Sequence, residues 1–196
     1  MVTNGTRPRV VSLLPSATEK LALIGGLDML VGRSHECDYP PEAAGVPILT
    51  ASRLTFESSK QIDADVSKAL TEGTGLYTLD AEKLLELRPD VILTQDICNV
   101  CSIDLAAVER TAMKMDPRPT VVSLNPGGLE DVLRDIARVG DAVGLGKEAR
   151  AAQERLRDRV SSGVAAAQAA ARRREAQGRG PPRVAFLEWT EPAYVG

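Results

Sequence analysis

The chain has 196 residues, of which 43% are hydrophobic and only 3% aromatic, and it carries a formal net charge of −3. This length allows one α/β domain and part of another, with a core of Ala, Val, Leu and Ile. The weak negative charge excludes a general attraction to nucleic acid or anionic lipid, and the scarcity of aromatic rings excludes a stacking platform for single-stranded nucleic acid. No apolar run approaches the roughly 18 residues that a transmembrane helix needs.

Apolar periodicity divides the chain into alternating strands and helices. The predicted strands are residues 10–14, 30–32, 46–49, 91–93, 120–124 and 184–189. The predicted helices are residues 16–25, 58–72, 81–87, 105–115, 129–143 and 147–177. This alternation is typical of an α/β fold with an open, mostly parallel sheet and helices on both faces.

Capping residues mark the start of two of these helices. Ser16 and Glu19 have the spacing of a capping box, in which each side chain accepts a hydrogen bond from the other's backbone N–H. Asp80 is predicted to cap the helix that follows it.

The stretch from residue 87 to residue 101 predicts chemistry at the end of a strand. Pro89 ends a helix, and residues 91–93 then form a continuous apolar strand. In open α/β sheets, ligands collect just past the carboxyl ends of such strands. The polar and thiol side chains that arrive there are Gln95, Asp96, Cys98 and Cys101.

The last fifty residues predict a linking element. Residues 147–177 form one Ala- and Arg-rich helical run, which would extend about 45 Å at 1.5 Å per residue. Residues 178–182 stop it with Gly and Pro, and residues 184–189 predict a new buried strand with no partner in what remains. Such a long helix is expected to connect two bodies.

Four segments of the chain carry a resemblance to one protein family. They are V-V-S-L-L-P-S-A-T-E at residues 10–19, L-V-G-R-S-H-E-C-D-Y-P at 30–40, L-R-P-D-V-I-L-T-Q at 87–95 and F-L-E-W-T-E-P-A-Y-V-G at 186–196. In order and spacing they resemble the cobalamin and iron-siderophore group of periplasmic-binding-protein folds, the substrate-binding partners of ABC importers. The resemblance implies two α/β lobes joined by one long helix, with the ligand in the cleft between them.

The resemblance also implies a division of this chain and a function for it. Residues 1–145 would be the first lobe, 146–178 the backbone helix and 183–196 the start of a truncated second lobe. The implied ligand is a metal-bearing small molecule, a corrinoid or an iron chelate, held by a binding module rather than an enzyme. An ABC permease is the implied partner if the chain is exported. The predicted ligand-binding residues of the cleft loops are Pro15, Ser16, His35, Asp38, Tyr39, Gln95, Asp96 and Trp189.

The cysteines allow an alternative interpretation. Cys98 and Cys101 bring two sulfurs near one point, and Cys37, His35, Glu36 or Asp38 could complete a tetrahedral set for a zinc-like ion if the two loops face each other. With Cys37 and His35, the only histidine, the set would be of the Cys3His type. The alternative function is an intracellular metal- or thiol-using protein with Cys37, Cys98 and Cys101 as its working groups. The simpler interpretation is that Cys98 and Cys101 are packing residues, because one C-x-x-C without a second ligand pair is a weak signal.

The amino terminus bears on the cellular location. Residues 1–9 lack the apolar segment of a secretory signal, so the chain as written is predicted to be cytoplasmic. It would be periplasmic or at the cell surface if the amino terminus were incomplete. The odd number of cysteines, 3, favours reduced thiols or metal ligands over a disulfide framework.

Overall fold

A computed structural model describes residues 7–55, 57–96 and 103–195 of the chain. Its strands are β1 (Val10–Ser12), β2 (Leu30–Arg33), β3 (Thr50–Ser52), β4 (Tyr77–Leu79), β5 (Val91–Thr94), β6 (Thr120–Ser123), β7 (Leu187–Thr190) and β8 (Ala193–Val195). Its α-helices are α1 (Pro15–Leu23), α2 (Ser59–Glu72), α3 (Ala81–Leu87), α4 (Leu105–Ala112), α5 (Leu129–Val143) and α6 (Gly146–Ala176). Short 3-10 turns cover Leu27–Met29 and Pro41–Gly45.

Four parallel strands form the central sheet, in the order β2-β1-β5-β6. Their residues are apolar on both faces, as expected for a parallel sheet covered by helices. Two short antiparallel pairs, β3–β4 and β7–β8, lie outside this sheet. The predicted fold class, an open and mostly parallel α/β sheet followed by a long helix, is confirmed.

Helices cover both faces of the sheet. One cluster joins the sheet to α1, α5 and α6 through the buried residues Val10, Leu93, Leu21, Ile136 and Ala149. A second cluster joins the opposite face to α3 and α4 through Val11, Ile92, Leu84, Val108 and Ala112. Adjacent strand residues alternate between the two clusters, because successive side chains of a strand point to opposite faces.

The first helix begins differently from the prediction. Leu14 is the N-cap, with an extended backbone, and no side chain caps the helix. The capping box of Ser16 and Glu19 is therefore wrong. Pro15 already occupies the first turn, where its missing N–H needs no partner and its fixed φ suits a helix. The Asp80 cap is confirmed, since its Oδ1 accepts from the Lys83 N–H at 2.9 Å.

The strand predicted at residues 46–49 is only a single bridge between Arg33 and Ile48. Pro47 explains this, because it has no N–H to donate to a ladder; its carbonyl accepts from the Arg33 N–H at 2.9 Å. The strand forms instead as β3, paired with β4, which the sequence analysis missed. This pairing places Thr50 and Tyr77 next to His35, in the loop that follows β2.

Helices α5 and α6 form an antiparallel hairpin. Gly144 closes α5 with φ of +79°, a left-handed conformation that favours glycine. Gly140 allows the close approach of α6, because a Cβ there would lie 2.4 Å from the Cβ of Ala149. Further along α6, Arg157 pairs with Glu130 near the start of α5 at 3.2 Å. Beyond Arg157 the residues of α6 are almost all exposed.

The strand predicted at residues 184–189 does find a partner, so that part of the prediction is wrong. Its second half is β7, which pairs with β8 across a two-residue turn. Val184, Phe186 and Leu187 are 84%, 68% and 60% exposed, so this apolar strand is not buried against the central sheet. One hydrogen bond links this hairpin to α2, from the Tyr194 hydroxyl to Asp63 Oδ1 at 2.9 Å.

Among the described residues, none of the helices combines the length and the apolar character that crossing a bilayer demands.

Deleting residues 180–196 is expected to leave the sheet and its helices folded and to reduce self-association. The deleted hairpin contributes exposed apolar side chains and unpaired strand edges, both of which promote association, and no residue of the two main clusters. Calorimetry should show a melting temperature within a few degrees of the full chain, and light scattering a more monomeric protein. A loss of many degrees would show that the hairpin stabilises the lobe.

The double variant Phe186→Ser and Leu187→Ser is the matched control. It keeps the chain length and removes the exposed apolar surface, so it should reproduce the reduced association of the deletion.

Candidate functional site: the carboxyl edge of the sheet

The carboxyl ends of all four parallel strands meet at one edge of the sheet. Backbone hydrogen bonds continue past the strand ends there: the Leu13 N–H donates to the Leu93 carbonyl at 2.8 Å, and the Leu124 N–H donates to the Thr94 carbonyl at 2.8 Å. The loops that follow β1, β2, β5 and β6 therefore start side by side. We call this region the carboxyl edge.

The topology marks a candidate ligand position at this edge. After β1 the chain enters α1 on one face, whereas after β5 it reaches α4 on the opposite face. The connections thus diverge between β1 and β5, and such a switch point leaves a crevice outside the strand ends. Residues 13–15 form one wall of it, and Gln95 and Asp96 begin the other.

A buried arginine organises the loop after β2. Arg33 is 8% exposed, and its guanidinium donates four hydrogen bonds of 3.0–3.2 Å to backbone carbonyls. The acceptors are Ser34, Cys37, Ala44 and Val46. No ion pair in the described part of the chain involves Arg33. Its planar set of donors therefore shapes the segment from residue 34 to residue 46, which we call the β2 loop.

Cys37 fastens the β2 loop beneath α1. Its side chain is fully buried, and its sulfur lies 3.1 Å from the Thr18 hydroxyl, which is also 2.9 Å from Ser12 Oγ. Burial raises the pKa of the Cys37 thiol, although hydrogen bonds from Thr18 and the Ser34 backbone oppose that effect. Burial and the contact with Thr18 therefore favour a packing role for this thiol over a role as a thiolate ligand of a metal.

His35 is fixed by the hydroxyl of Thr50 at the start of β3. Its Nδ1 lies 2.6 Å from Thr50 Oγ1, and its backbone N–H donates to the same oxygen at 2.9 Å. The Tyr77 ring is tilted by 53° against the imidazole, with centroids 5.3 Å apart. The Tyr77 hydroxyl donates to Glu36 Oε1 at 2.9 Å. Strands β3 and β4 therefore support the half-buried imidazole from beneath.

Asn125 ties the loop after β5 to the loop after β6. Its Oδ1 accepts from the Asp96 N–H at 2.7 Å. Gln95 is half-buried and Asp96 exposed, so the polar pair predicted at the strand end lies at the carboxyl edge. Arg138 of α5 donates to the Ser123 carbonyl at 2.7 Å and supports the same strand end.

Ser16 and Tyr39 line a groove of about 590 Å³ beside the crevice, between α1, α5 and α6. Its apolar floor is formed by Leu23, Val132, Ile136 and Leu156. Lys20 also lines it, and burial lowers the pKa of that ammonium, whereas Asp135 and Glu19 raise it.

Of the remaining predicted ligand residues, two lie at the carboxyl edge and one lies on the β7–β8 hairpin. Pro15, half-buried, begins α1 at the carboxyl edge, and Asp38 is exposed on the β2 loop. Trp189 lies on β7, where its indole N–H donates to the Glu191 carbonyl at 3.0 Å. In the described residues, no hydrogen bond or ring contact joins Trp189 to the loops of the carboxyl edge.

The predicted zinc-like site is only half within the described part of the chain. Cys98 and Cys101 lie outside the described residues, so the shared site with Cys37 and His35 stays a prediction. Within residues 7–55, 57–96 and 103–195, no group of three or more His, Cys, Asp or Glu side chains is arranged to hold a metal ion. Cys37 and His35 make their hydrogen bonds to different partners, Thr18 and Thr50.

The raised pKa of Cys37 predicts a loss of stability in alkali. The folded thiol keeps its proton where the unfolded thiol, with an ordinary pKa of 9.0, has lost it. Its contribution is therefore fully present below that value and declines as the pH rises through the folded pKa. Urea unfolding at pH 8 and pH 10 should show a smaller alkaline loss in Cys37→Ala than in the wild type. Equal losses in the two proteins would contradict this assignment.

The sequence analysis missed Arg33, Thr50, Tyr77 and Asn125. A charged residue at the end of the apolar run Leu30–Gly32 was the available signal for Arg33, because such a residue is buried only when it is fully hydrogen-bonded. Asn125, directly after a strand, carried the same signal as Gln95 and Asp96. Thr50 and Tyr77 gave none, because their role depends on the pairing of β3 with β4.

Comparison with known proteins gives a family match over almost the whole chain. The family described as "Periplasmic binding protein" matches residues 10–195. No curated protein matches the chain.

Solved structures are similar in fold. A periplasmic heme-binding protein from Pseudomonas aeruginosa is 21% identical with a TM-score of 0.57, and the match covers 84% of this chain and 50% of that one. The periplasmic vitamin B12-binding protein BtuF of Vibrio cholerae is 20% identical with a TM-score of 0.57, covering 95% and 58%. The periplasmic heme-binding protein RhuT from Roseiflexus sp. RS-1 is 24% identical with a TM-score of 0.59, covering 97% and 59%. The chain thus spans about half the length of these proteins.

The family match corrects one prediction. The chain was expected to be cytoplasmic because residues 1–9 contain no apolar segment, but the matching family consists of periplasmic binding proteins. The cytoplasmic assignment is wrong. The absence of a motif from nine residues has little weight against a match that covers residues 10–195.

Proposed function

The chain belongs to the periplasmic binding protein family, and from that membership we propose that it binds a metal-bearing small molecule, a corrinoid or an iron chelate, at the carboxyl edge. The observation that carries the proposal is the convergence of four strand ends on a switch point between β1 and β5. Rigid strands place the β2 loop and residues 95–96 there, and a crevice of this kind is where α/β folds bind ligands. The role is that of a non-enzymatic substrate-binding module of an ABC importer, with a permease as its partner.

The geometry supports recognition of a large ligand with many oxygen atoms. The crevice is bordered by the half-buried imidazole of His35, the exposed Asp38 and Tyr39 of the β2 loop, and the polar pair Gln95 and Asp96. These groups supply hydrogen-bond donors and acceptors along the crevice, as the polar groups that orient ligands in small-molecule sites do. The solved proteins with similar folds are described as binding heme or vitamin B12, which supports the same ligand class here.

Nuclear magnetic resonance titration tests the proposal and detects even weak binding. The probes are cyanocobalamin, a gallium-loaded hydroxamate chelate as a diamagnetic substitute for the ferric one, and the metal-free chelate as a control. We expect shifts in the amides of the β2 loop and of residues 95, 96 and 125. The amides of Asp90 and Gly144, which lie near the opposite edge, should not shift. Binding of no probe at the carboxyl edge would overturn the proposal.

A further inference from the structure

Three hydrogen-bonding groups converge on the hydroxyl of Thr50. They are the His35 backbone N–H at 2.9 Å, the His35 Nδ1 at 2.6 Å and the Ser34 Oγ at 3.0 Å. Thr50 is 5% exposed and Ser34 3% exposed, so water does not substitute freely for missing partners. A hydroxyl has two lone pairs and one proton, and it therefore accepts at most two hydrogen bonds and donates one.

One assignment of protons leaves a buried hydroxyl without an acceptor. The His35 N–H is a donor and takes one lone pair of Thr50. If Nδ1 also donated to Thr50, then Thr50 would donate to Ser34, and the proton of Ser34 would need another acceptor. The other contact of Ser34 Oγ in the described residues is the Glu36 N–H, itself a donor, at 3.3 Å. An unsatisfied buried hydroxyl is costly and rare.

The opposite assignment satisfies every group. Ser34 donates to Thr50, Thr50 donates to His35 Nδ1, and the proton of the neutral imidazole is on Nε2. We propose that Ser34 and Thr50 hold His35 in this Nε2–H form, so that His35 donates a hydrogen bond to an oxygen acceptor of the ligand instead of coordinating a metal. The ligand-contacting part of this inference rests on the proposed function, whereas the position of the proton does not.

The chemistry of imidazole explains the consequence for the ligand. A neutral histidine coordinates a metal through a nitrogen lone pair. In His35 the Nδ1 lone pair is occupied by the Thr50 hydroxyl, and Nε2 carries the proton. The group available to a ligand is an N–H, which matches the amide oxygens of a corrinoid, the oxygens of a hydroxamate or a carboxylate. His35 would thus select the organic periphery of the ligand and not its metal.

The position of the imidazole proton is directly observable by NMR because His35 is the only histidine in the chain. A ¹⁵N-histidine-labelled protein without an affinity tag, held at a pH where the imidazole is neutral, gives one pair of ring nitrogen signals. We expect Nε2 in the protonated range, Nδ1 in the unprotonated range, and no change in either on addition of Zn²⁺. A proton on Nδ1, averaged signals from a mixture of both forms, or a zinc-bound Nε2 would overturn the inference.

Variants separate the role of Thr50 from its contribution to folding. Thr50→Val removes the hydroxyl at constant shape and should shift both nitrogen signals towards those of an unrestrained imidazole, whereas Thr50→Ser should keep the wild-type signals. Thr111→Val is the matched control, since Thr111 is a buried hydroxyl bonded at 2.9 Å within α4. Wild-type signals in Thr50→Val would overturn the role of Thr50. Should Thr50→Val fail to fold, the wild type and Thr50→Ser still decide the position of the proton.

Ligand titrations test the donor role. Glutamine places an amide N–H near the position of Nε2 but does not replace imidazole as a metal ligand. For the probe that binds the wild type, cyanocobalamin or the gallium hydroxamate, we expect His35→Gln to retain affinity within about threefold and His35→Ala to lose roughly tenfold. Equal losses in both variants would overturn the donor role. A wild type that binds neither probe would overturn the proposed function and the donor role together. The ¹⁵N spectrum would still show which ring nitrogen of His35 carries the proton.

Discussion

Replacing Arg33 with methionine is expected to lower the free energy of unfolding by roughly 3 kcal/mol, because the substitution leaves backbone carbonyls of the β2 loop without their donors. The guanidinium is buried and donates to four carbonyls of that loop. Methionine fills a similar volume, so the loss reports hydrogen bonds more than packing. Urea unfolding gives the free energy of unfolding. Amide hydrogen exchange should become faster mainly in residues 34–46.

The control for Arg33 is another arginine with exposed contacts. Arg157 pairs with Glu130 at 3.2 Å, and both side chains are substantially solvent-exposed. Arg157→Met should therefore cost less than about 1 kcal/mol. A change in Arg33→Met no larger than in Arg157→Met would show that the β2 loop holds its shape without the guanidinium.

The second large effect concerns affinity. Residues 1–196, produced alone, are expected to bind a corrinoid or an iron chelate about a thousandfold more weakly than a two-lobed binding protein with a micromolar site. A closed cleft buries most of its ligand, and the described carboxyl edge supplies one wall. Halving a binding free energy of about −8 kcal/mol moves a micromolar dissociation constant to roughly millimolar.

Calorimetric titration of the 196-residue chain measures this directly. A dissociation constant in the high micromolar to millimolar range is the expected result. Submicromolar affinity would show that the carboxyl edge encloses the ligand by itself, or that two copies of the chain close around it. Light scattering of the complex separates those two causes.

Local sequence patterns determined most of the central sheet and the helices that cover it. Apolar runs bounded by Gly and Pro predicted the parallel strands, and the amphipathic stripe of residues 129–143 predicted α5 within its observed bounds. Gln95 and Asp96 were predicted at a strand end, and that is where the structure places them. These features are readable because they depend on neighbours within one turn or one strand.

Other features were decided by competition between local signals or by contacts distant in sequence. Proline chemistry at Pro15 outweighed the capping box of Ser16 and Glu19, although both signals are local. The position of Thr50 beside His35 depends on β3 pairing with β4, some 27 residues away along the chain. The thiol of Cys37 is a buried packing group because α1 supplies Thr18 as its neighbour. Residue type alone does not distinguish such a cysteine from a metal ligand.

Features set by local periodicity and features set by tertiary contacts differ in what they control at the carboxyl edge. The sequence by itself determined the alternation of strands and helices, the parallel sheet and therefore the edge at which we propose that a ligand binds, because periodicity sets which residues are buried. Only the tertiary structure decided which side chains at that edge are free to act. Arg33, Cys37 and Thr50 make their hydrogen bonds inside the protein, whereas His35, Asp38, Tyr39, Gln95 and Asp96 are among the described groups that keep solvent access at the carboxyl edge.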